Sequence, residues 1–297
     1  VGEDLRQDRH DREDQPHAGW QVAASMLLGY HTNSLQNHRF DAALQLLCDH
    51  GYRAIAITPD TCHLDPDQTT DRDLDAAAAR LRDLGLKPVM ETGARFLLDA
   101  KTKHEPTLMT RDRSQRDRRV AFYRRVAHMG QRLGAEVVSF WAGIDRARGA
   151  DSEDWLLEGI DLACKEIRAQ GLRPSLEPEP GMAVETVADY ERVRAALGSD
   201  APSLTLDIGH LYAVWEGDPS AVITRSAPFM AQVHLEDHRR GVHEHLLPGD
   251  GEVDFESVLR ALSEAGYDGP VCFELSRQSH CAPAAVATCQ ELWNRLV

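Results

Sequence analysis

Glu177, Asp207, His234 and Glu274 are residue types that bind metals, and each closes an apolar run: SLEPEPG, LTLDIGH, QVHLED and CFELSR. They lie 30, 27 and 40 residues apart in sequence. Each interval suits one strand and one helix, the last lengthened by a polar loop, so successive strands can deliver all four to one point. Two Glu, one Asp and one His make a mixed oxygen and nitrogen set that suits Mn²⁺ first, then Mg²⁺, Co²⁺ or Zn²⁺; the lack of thiolates argues against a closed structural zinc. Three converging carboxylates repel one another unless a cation joins them. Taken singly, an acid at a strand end is more often a helix cap or a loop ion pair, and a lone His more often a core residue. The joint occurrence at four successive strand ends outweighs that reading, because a charge in an apolar run is costly without a partner.

The elements that would position these residues follow from periodicity. Eight apolar stretches read as strands: 24–31, 53–59, 87–93, 135–143, 173–179, 203–209, 230–236 and 270–276. Helical segments separate them, several ending in Gly, as in DHGYR, DLGLK, RLGAE and AQGLR. In ETVADYERVRAAL, Thr186 and Asp189 form a capping box ahead of Val187, Tyr190, Val193 and Leu197 at helical spacing. Eight strands alternating with helices, and no GxGxxG after any strand, predict an α/β fold: one (β/α)8 TIM barrel over residues 21–297, with ligands at the C-terminal strand ends. Residues 1–20, polar and acidic without an apolar stretch, read as a disordered tail.

Composition narrows the function classes. A formal charge of −15 disfavours a nucleic-acid partner. The basic run RDRSQRDRR at 111–119 is interleaved with acids and reads as a solvated helix face. No run approaches the roughly 18 apolar residues of a membrane span. Six cysteines with no CxxC pair read as reduced thiols, which points to the cytoplasm. Whether the chain forms a homo-oligomer stays open.

LEPEPG, LDIGH, VHLED and FEL, in that order, resemble the xylose isomerase-like superfamily of barrels, which holds sugar and cyclitol isomerases and epimerases as well as endonuclease IV-type enzymes. The similarity runs from about residue 24 to the end. It implies one divalent metal on Glu177, Asp207, His234 and Glu274, with Glu177 and Glu274 also exchanging protons with a small polyol or sugar substrate. It further implies a substrate or second-layer role for His210, and a substrate arginine at Arg239 or Arg240. The expected chemistry is proton removal beside a metal-polarised carbonyl, giving an enediolate and then epimerisation or isomerisation. A dehydratase or hydrolase on the same barrel, and a non-catalytic metabolite-binding subunit, stand as alternatives.

Other residues are weaker candidates. His63 after strand two, Glu91 ending strand three and Trp141 ending strand four are each placed to face a pocket, Trp141 as an apolar wall for a sugar. Glu179 points the same way as Glu177 by strand alternation. Glu236 and Asp237 read as loop hydrogen-bonding groups. His243 and His245 stand where endonuclease IV-like enzymes carry D-x-H, so a second metal there is left open.

Overall fold

The structure, a computed structural model, describes residues 26–149 and 151–297. Eight parallel strands close into one barrel in chain order: β1 (Leu27–His31), β2 (Ala54–Ile57), β3 (Lys87–Met90), β4 (Val137–Trp141), β5 (Arg173–Glu177), β6 (Ser203–Asp207), β7 (Met230–Leu235) and β8 (Pro270–Phe273). β8 returns to β1, pairing Leu28 with Val271. Each observed strand lies inside its predicted span, and all but β1 end earlier, because the last residues of those runs belong to the loops. The disordered tail expected over residues 1–20 lies outside the described residues.

Helices α1 (Phe40–Asp49), α2 (Asp71–Leu84), α3 (Arg113–Leu133), α4 (Ser152–Ala169), α5 (Val187–Leu197), α6 (Ile208–Val214), α7 (Pro219–Ser226), α8 (Phe255–Glu264) and α9 (Ala282–Leu296) surround the sheet. None of the described helices is long and apolar enough to cross a membrane. The capping box is present: the Thr186 hydroxyl accepts from the Asp189 amide while the Asp189 carboxylate accepts from the Thr186 amide. α2 and α3 stop at Gly85 and Gly134, both left-handed (φ 65° and 83°), a conformation that costs residues with a Cβ.

The basic run departs from expectation at one residue. Arg119 is fully buried on the face of α3 that carries Phe122, Tyr123 and Val126. Its guanidinium donates to the Thr92 carbonyl at 3.1 Å and stacks on the rings of Tyr123 and Trp141, 4.8 Å from each centroid. The aromatic faces compensate part of its lost hydration.

Candidate metal and active site

Register brings the four strand-end residues together. Asp207 on β6 pairs with His234 on β7, and Glu177 on β5 pairs with Trp141 on β4. Glu274 follows β8, its amide bonded to the Leu235 carbonyl. Glu177, Asp207, His234 and Glu274 each offer a ligand atom within 4.8 Å of the others. His234 Nδ1 is their hub, 2.9 Å from Glu177 Oε1, 3.4 Å from Glu274 Oε2 and 3.7 Å from Asp207 Oδ2.

Asp207 performs two tasks with its two oxygens. Oδ1 accepts from the His210 amide at 2.8 Å and so caps α6. Oδ2 is buried and has no hydrogen-bond partner among the described residues. The cap reading and the ligand reading of this residue are therefore compatible. Such an unpaired buried oxygen, in a set of three carboxylates and one imidazole, fits a hard or borderline divalent cation.

The supporting layer is equally specific. The Gln232 side-chain amide donates to Glu91 Oε1 at 2.5 Å, and the same oxygen lies 3.2 Å from His234 Nε2. This leaves Nδ1 facing the carboxylates, the arrangement in which a second carboxylate orients a metal-binding imidazole. The Asn33 amide donates to Glu274 Oε1 at 2.7 Å. His210 donates Nδ1–H to the Pro178 carbonyl at 3.0 Å, which turns its Nε2 toward Asp207 Oδ2, 3.6 Å away.

The two outer glutamates are driven in opposite directions. Burial pushes Glu177 up to about 8, with Glu274 and Glu91 adding repulsion and His234 only partly offsetting it. Burial would raise Glu274 as well, but the imidazoles of His31, His234 and His245 outweigh it and hold this carboxyl well below its usual range. Asp207 falls to about 2, because His210 and His234 overcome its burial. Burial disfavours charge on His234, yet Glu177 and Glu91 raise it well above an ordinary histidine.

A cavity of about 980 Å³ opens above this cluster at the C-terminal end of the barrel. Glu91, Trp141, Glu177, Glu179, His243, His245 and Glu274 line it. Glu179 reaches His210 Nε2 at 3.8 Å and His243 Nε2 at 3.7 Å. His210, His243 and His245 form a further cluster with ring nitrogens within 4.8 Å.

Other expected residues are placed elsewhere. His63 bonds through Nε2 to the His38 carbonyl at 2.8 Å, packs on Phe40 and does not line the cavity. Arg239 pairs with Glu244 at 2.9 Å, and Arg240 stacks over Trp215 at 3.7 Å; both are exposed and outside the cavity wall. Asp237 is the loop organiser expected of it, accepting from the amides of His238, Gly249, Gly251 and Val253. Glu236 is not: both oxygens are fully buried without a hydrogen bond among the described residues, as are both nitrogens of His238. Sequence reading also passed over His31, which closes β1 with both ring nitrogens unpaired, 4.3 Å from the His234 ring. The strand-end rule that found the other four would have found it.

A family model for xylose isomerase-like TIM barrels matches residues 44–292. An inosose dehydratase from Lacticaseibacillus casei is 28% identical over 141 residues, 41% of this chain and 47% of that protein. The match thus spans about half the length of that relative. An L-ribulose-5-phosphate 3-epimerase from Salmonella paratyphi C is 28% identical over 205 residues, 66% of this chain and 70% of the relative. Among solved structures, a D-allulose 3-epimerase from Methylomonas sp. superposes with a TM-score of 0.72 at 15% identity, covering 94% of this chain and all (100%) of that one. A D-psicose 3-epimerase superposes with a TM-score of 0.73 at 16% identity, covering 92% and 99%. These two show the shared fold.

Proposed function

Because the chain belongs to the xylose isomerase-like TIM barrel family, we propose that it is a divalent-metal-dependent isomerase or epimerase of a sugar, keto-sugar or cyclitol, working by proton transfer beside a carbonyl. The observation that carries this reading is the pair Glu177 and Glu274, which approach His234 Nδ1 from two different strand ends under an open cavity. Glu177, Asp207, His234 and Glu274 would hold the cation. Once bound, a divalent ion polarises a carbonyl and stabilises the charge that develops on deprotonating the neighbouring carbon.

In this reading the protein's own groups carry the protons. Glu274, ionised through its imidazole neighbours and aimed by Asn33, is the base that takes the carbon-bound proton. Glu177, whose burial raises its proton affinity so that it can reload from solvent, is the group that returns one. With the acid and base on different strand ends, the proton returns to the opposite face of the same carbon or to its neighbour. Trp141, beside Glu177 in the barrel, offers its ring as the wall for the substrate. Similarity to an inosose dehydratase favours a second reading, in which the same deprotonation is followed by loss of a hydroxyl from the next carbon.

Ketoses and inososes incubated in deuterated water with Mn²⁺ test the proposal. Deuterium should enter the carbon next to the carbonyl, and Glu274→Gln should abolish that exchange while keeping part of the metal affinity. Mass loss of one water in the product would select the dehydratase reading. Full turnover by a Glu177→Gln, Glu274→Gln double variant would sink both.

A further inference from the structure

One wall of the cavity is cationic in a chain whose formal charge is −15. Arg95, Lys103, His104 and Trp141 line it on one side, and Arg277 lines the rim as well. The Arg95 amide donates to His104 Nδ1 at 3.0 Å, which puts the imidazole proton on Nε2 and makes that nitrogen a donor. His104 packs edge-on against Trp141, ring centroids 4.9 Å apart, and the buried Arg119 stacks on the same indole. Arg119 has no carboxylate within ion-pair distance among the described residues, so its charge is felt across the indole.

Of these cations, only Arg95 has an acidic partner among the described residues, Asp60 at 3.1 Å. Lys103 is exposed and has no hydrogen bond or ion pair among the described residues. The Arg277 guanidinium donates to a carbonyl, that of His243 at 3.1 Å, not to a carboxylate. Of the other acids lining the cavity, Glu91 and Glu177 are buried, Glu274 is nearly so, and Glu179 faces His210 and His243. Asp60 apart, which Arg95 neutralises, the carboxylates gather at the strand ends and the unpaired cations lie on exposed loop residues. Burial depresses His104 to about 3, with the charges of Lys103, Arg119 and Arg95 adding to it, so its imidazole stays neutral and Nε2 keeps its role as a donor.

We propose that the wall formed by Arg95, Lys103 and His104, with Arg277 across the rim, is a subsite for an anionic substituent on the substrate, a phosphate ester or a carboxylate remote from the reacting carbons. The order of neighbours along the wall supports this placement. Trp141 is the strand partner of Glu177 at the floor and the ring neighbour of His104 at the mouth, so a sugar chain lying over the indole has its carbonyl end at the glutamates and its far end among the cations. An anion there meets the Lys103 ammonium and the His104 Nε2–H without displacing any existing ion pair, and charge-assisted contacts of this kind are the strong ones. The subsite rests on the proposed function for its substrate scaffold, but not for its binding chemistry.

Calorimetric titration of the full chain, with and without Mn²⁺, tests it using three probes: xylulose, xylulose 5-phosphate and inorganic phosphate. The ester should bind at least about tenfold tighter than the neutral ketose. Inorganic phosphate should bind without Mn²⁺. Both gains should fall about tenfold or more in Lys103→Met and further in the Lys103→Met, Arg277→Met pair, while xylulose affinity stays level. Both residues are exposed, so these variants keep the fold. A ketouronate that shows the gain in place of the phosphate ester assigns the anion as a carboxylate and sustains the subsite. Equal affinity for charged and neutral ketoses, or an ester gain untouched by both variants, overturns it. A variant-sensitive gain without deuterium exchange into any probe would leave the subsite standing and remove the proton-transfer function; exchange without the gain would do the reverse.

Discussion

Glu91 Oε1 lies 3.2 Å from Nε2 of His234, on the far side of the imidazole from the carboxylates that meet its Nδ1. One strand-end acid therefore fixes which nitrogen of a residue four strands away faces the proposed cation. Glu91→Gln keeps the shape and an acceptor oxygen but removes the charge. Mn²⁺ affinity, measured by competition with a chelator, should weaken about tenfold, at the lower end of the effect of outer-layer carboxylates. Unchanged affinity would mean that the pair only fills space.

Asp207→Asn separates the cap from the ligand. Asn accepts the His210 amide bond as well as Asp does, so α6 should keep its start and the cation-free melting temperature should stay nearly level. The rise in melting temperature produced by saturating Mn²⁺ should largely vanish. A large loss of stability without metal, with the metal response intact, would assign the residue to the cap alone.

pH should govern the metal response in a known direction. Glu177 is raised from 4.5 to about 8. A raised group contributes stability below its unfolded value and loses that contribution as pH climbs through its folded value, so the cation-free barrel weakens from this group between about pH 4.5 and 8. Ligation needs the ionised carboxylate and expels that proton. The Mn²⁺-induced rise in melting temperature should therefore grow from pH 6 to pH 8 and flatten above it. A response that is flat or falls over this range would contradict the burial of Glu177.

Gly209 leaves no room for a side chain. A Cβ there would sit 2.2 Å from both Glu236 Oε1 and His238 Nδ1, neither of which can retreat from a fully buried site. Gly209→Ala should cost about 1–3 kcal/mol of stability in denaturant titration and should disturb Mn²⁺ binding through the shared neighbour Asp207. As a control, Thr186→Ala should cost about 1 kcal/mol through the lost cap and leave metal binding unaltered.

Barrel topology was legible because it depends on local signals repeated eight times. Apolar runs such as LTLD and VVSFW, each followed by a helical period and a glycine stop, dictate strand and helix without reference to any distant residue. The strand ends were legible for the same reason: closure of a parallel barrel sends every C-terminus to one rim, so Glu177, Asp207, His234 and Glu274 had to share it. Two residues carried readable signals that other patterns masked. Arg119 stands three and four residues before Phe122 and Tyr123, on the buried stripe of α3, yet its basic neighbours made the segment look solvated. Gln232 alternates with His234 on β7 and shares its face, but an amide inside a strand draws no attention until its partner is known.

Sequence by itself determined the element order, the barrel and the rim that gathers the ligands, since these follow from periodicity and chain connectivity. Tertiary structure alone decided which rim residues meet. It turned His63, Arg239 and Arg240 to loop partners, because each found a carbonyl, a carboxylate or an indole closer than the cavity. It set Glu91 against His234 across the barrel, left Glu236 and His238 buried without hydrogen bonds among the described residues, and brought Lys103 and His104 to the cavity wall beside Trp141. The physical reason is one of range: backbone propensity acts over a few residues, whereas the pairing, burial and charge of a side chain are set by neighbours that only the folded chain brings within a few ångströms.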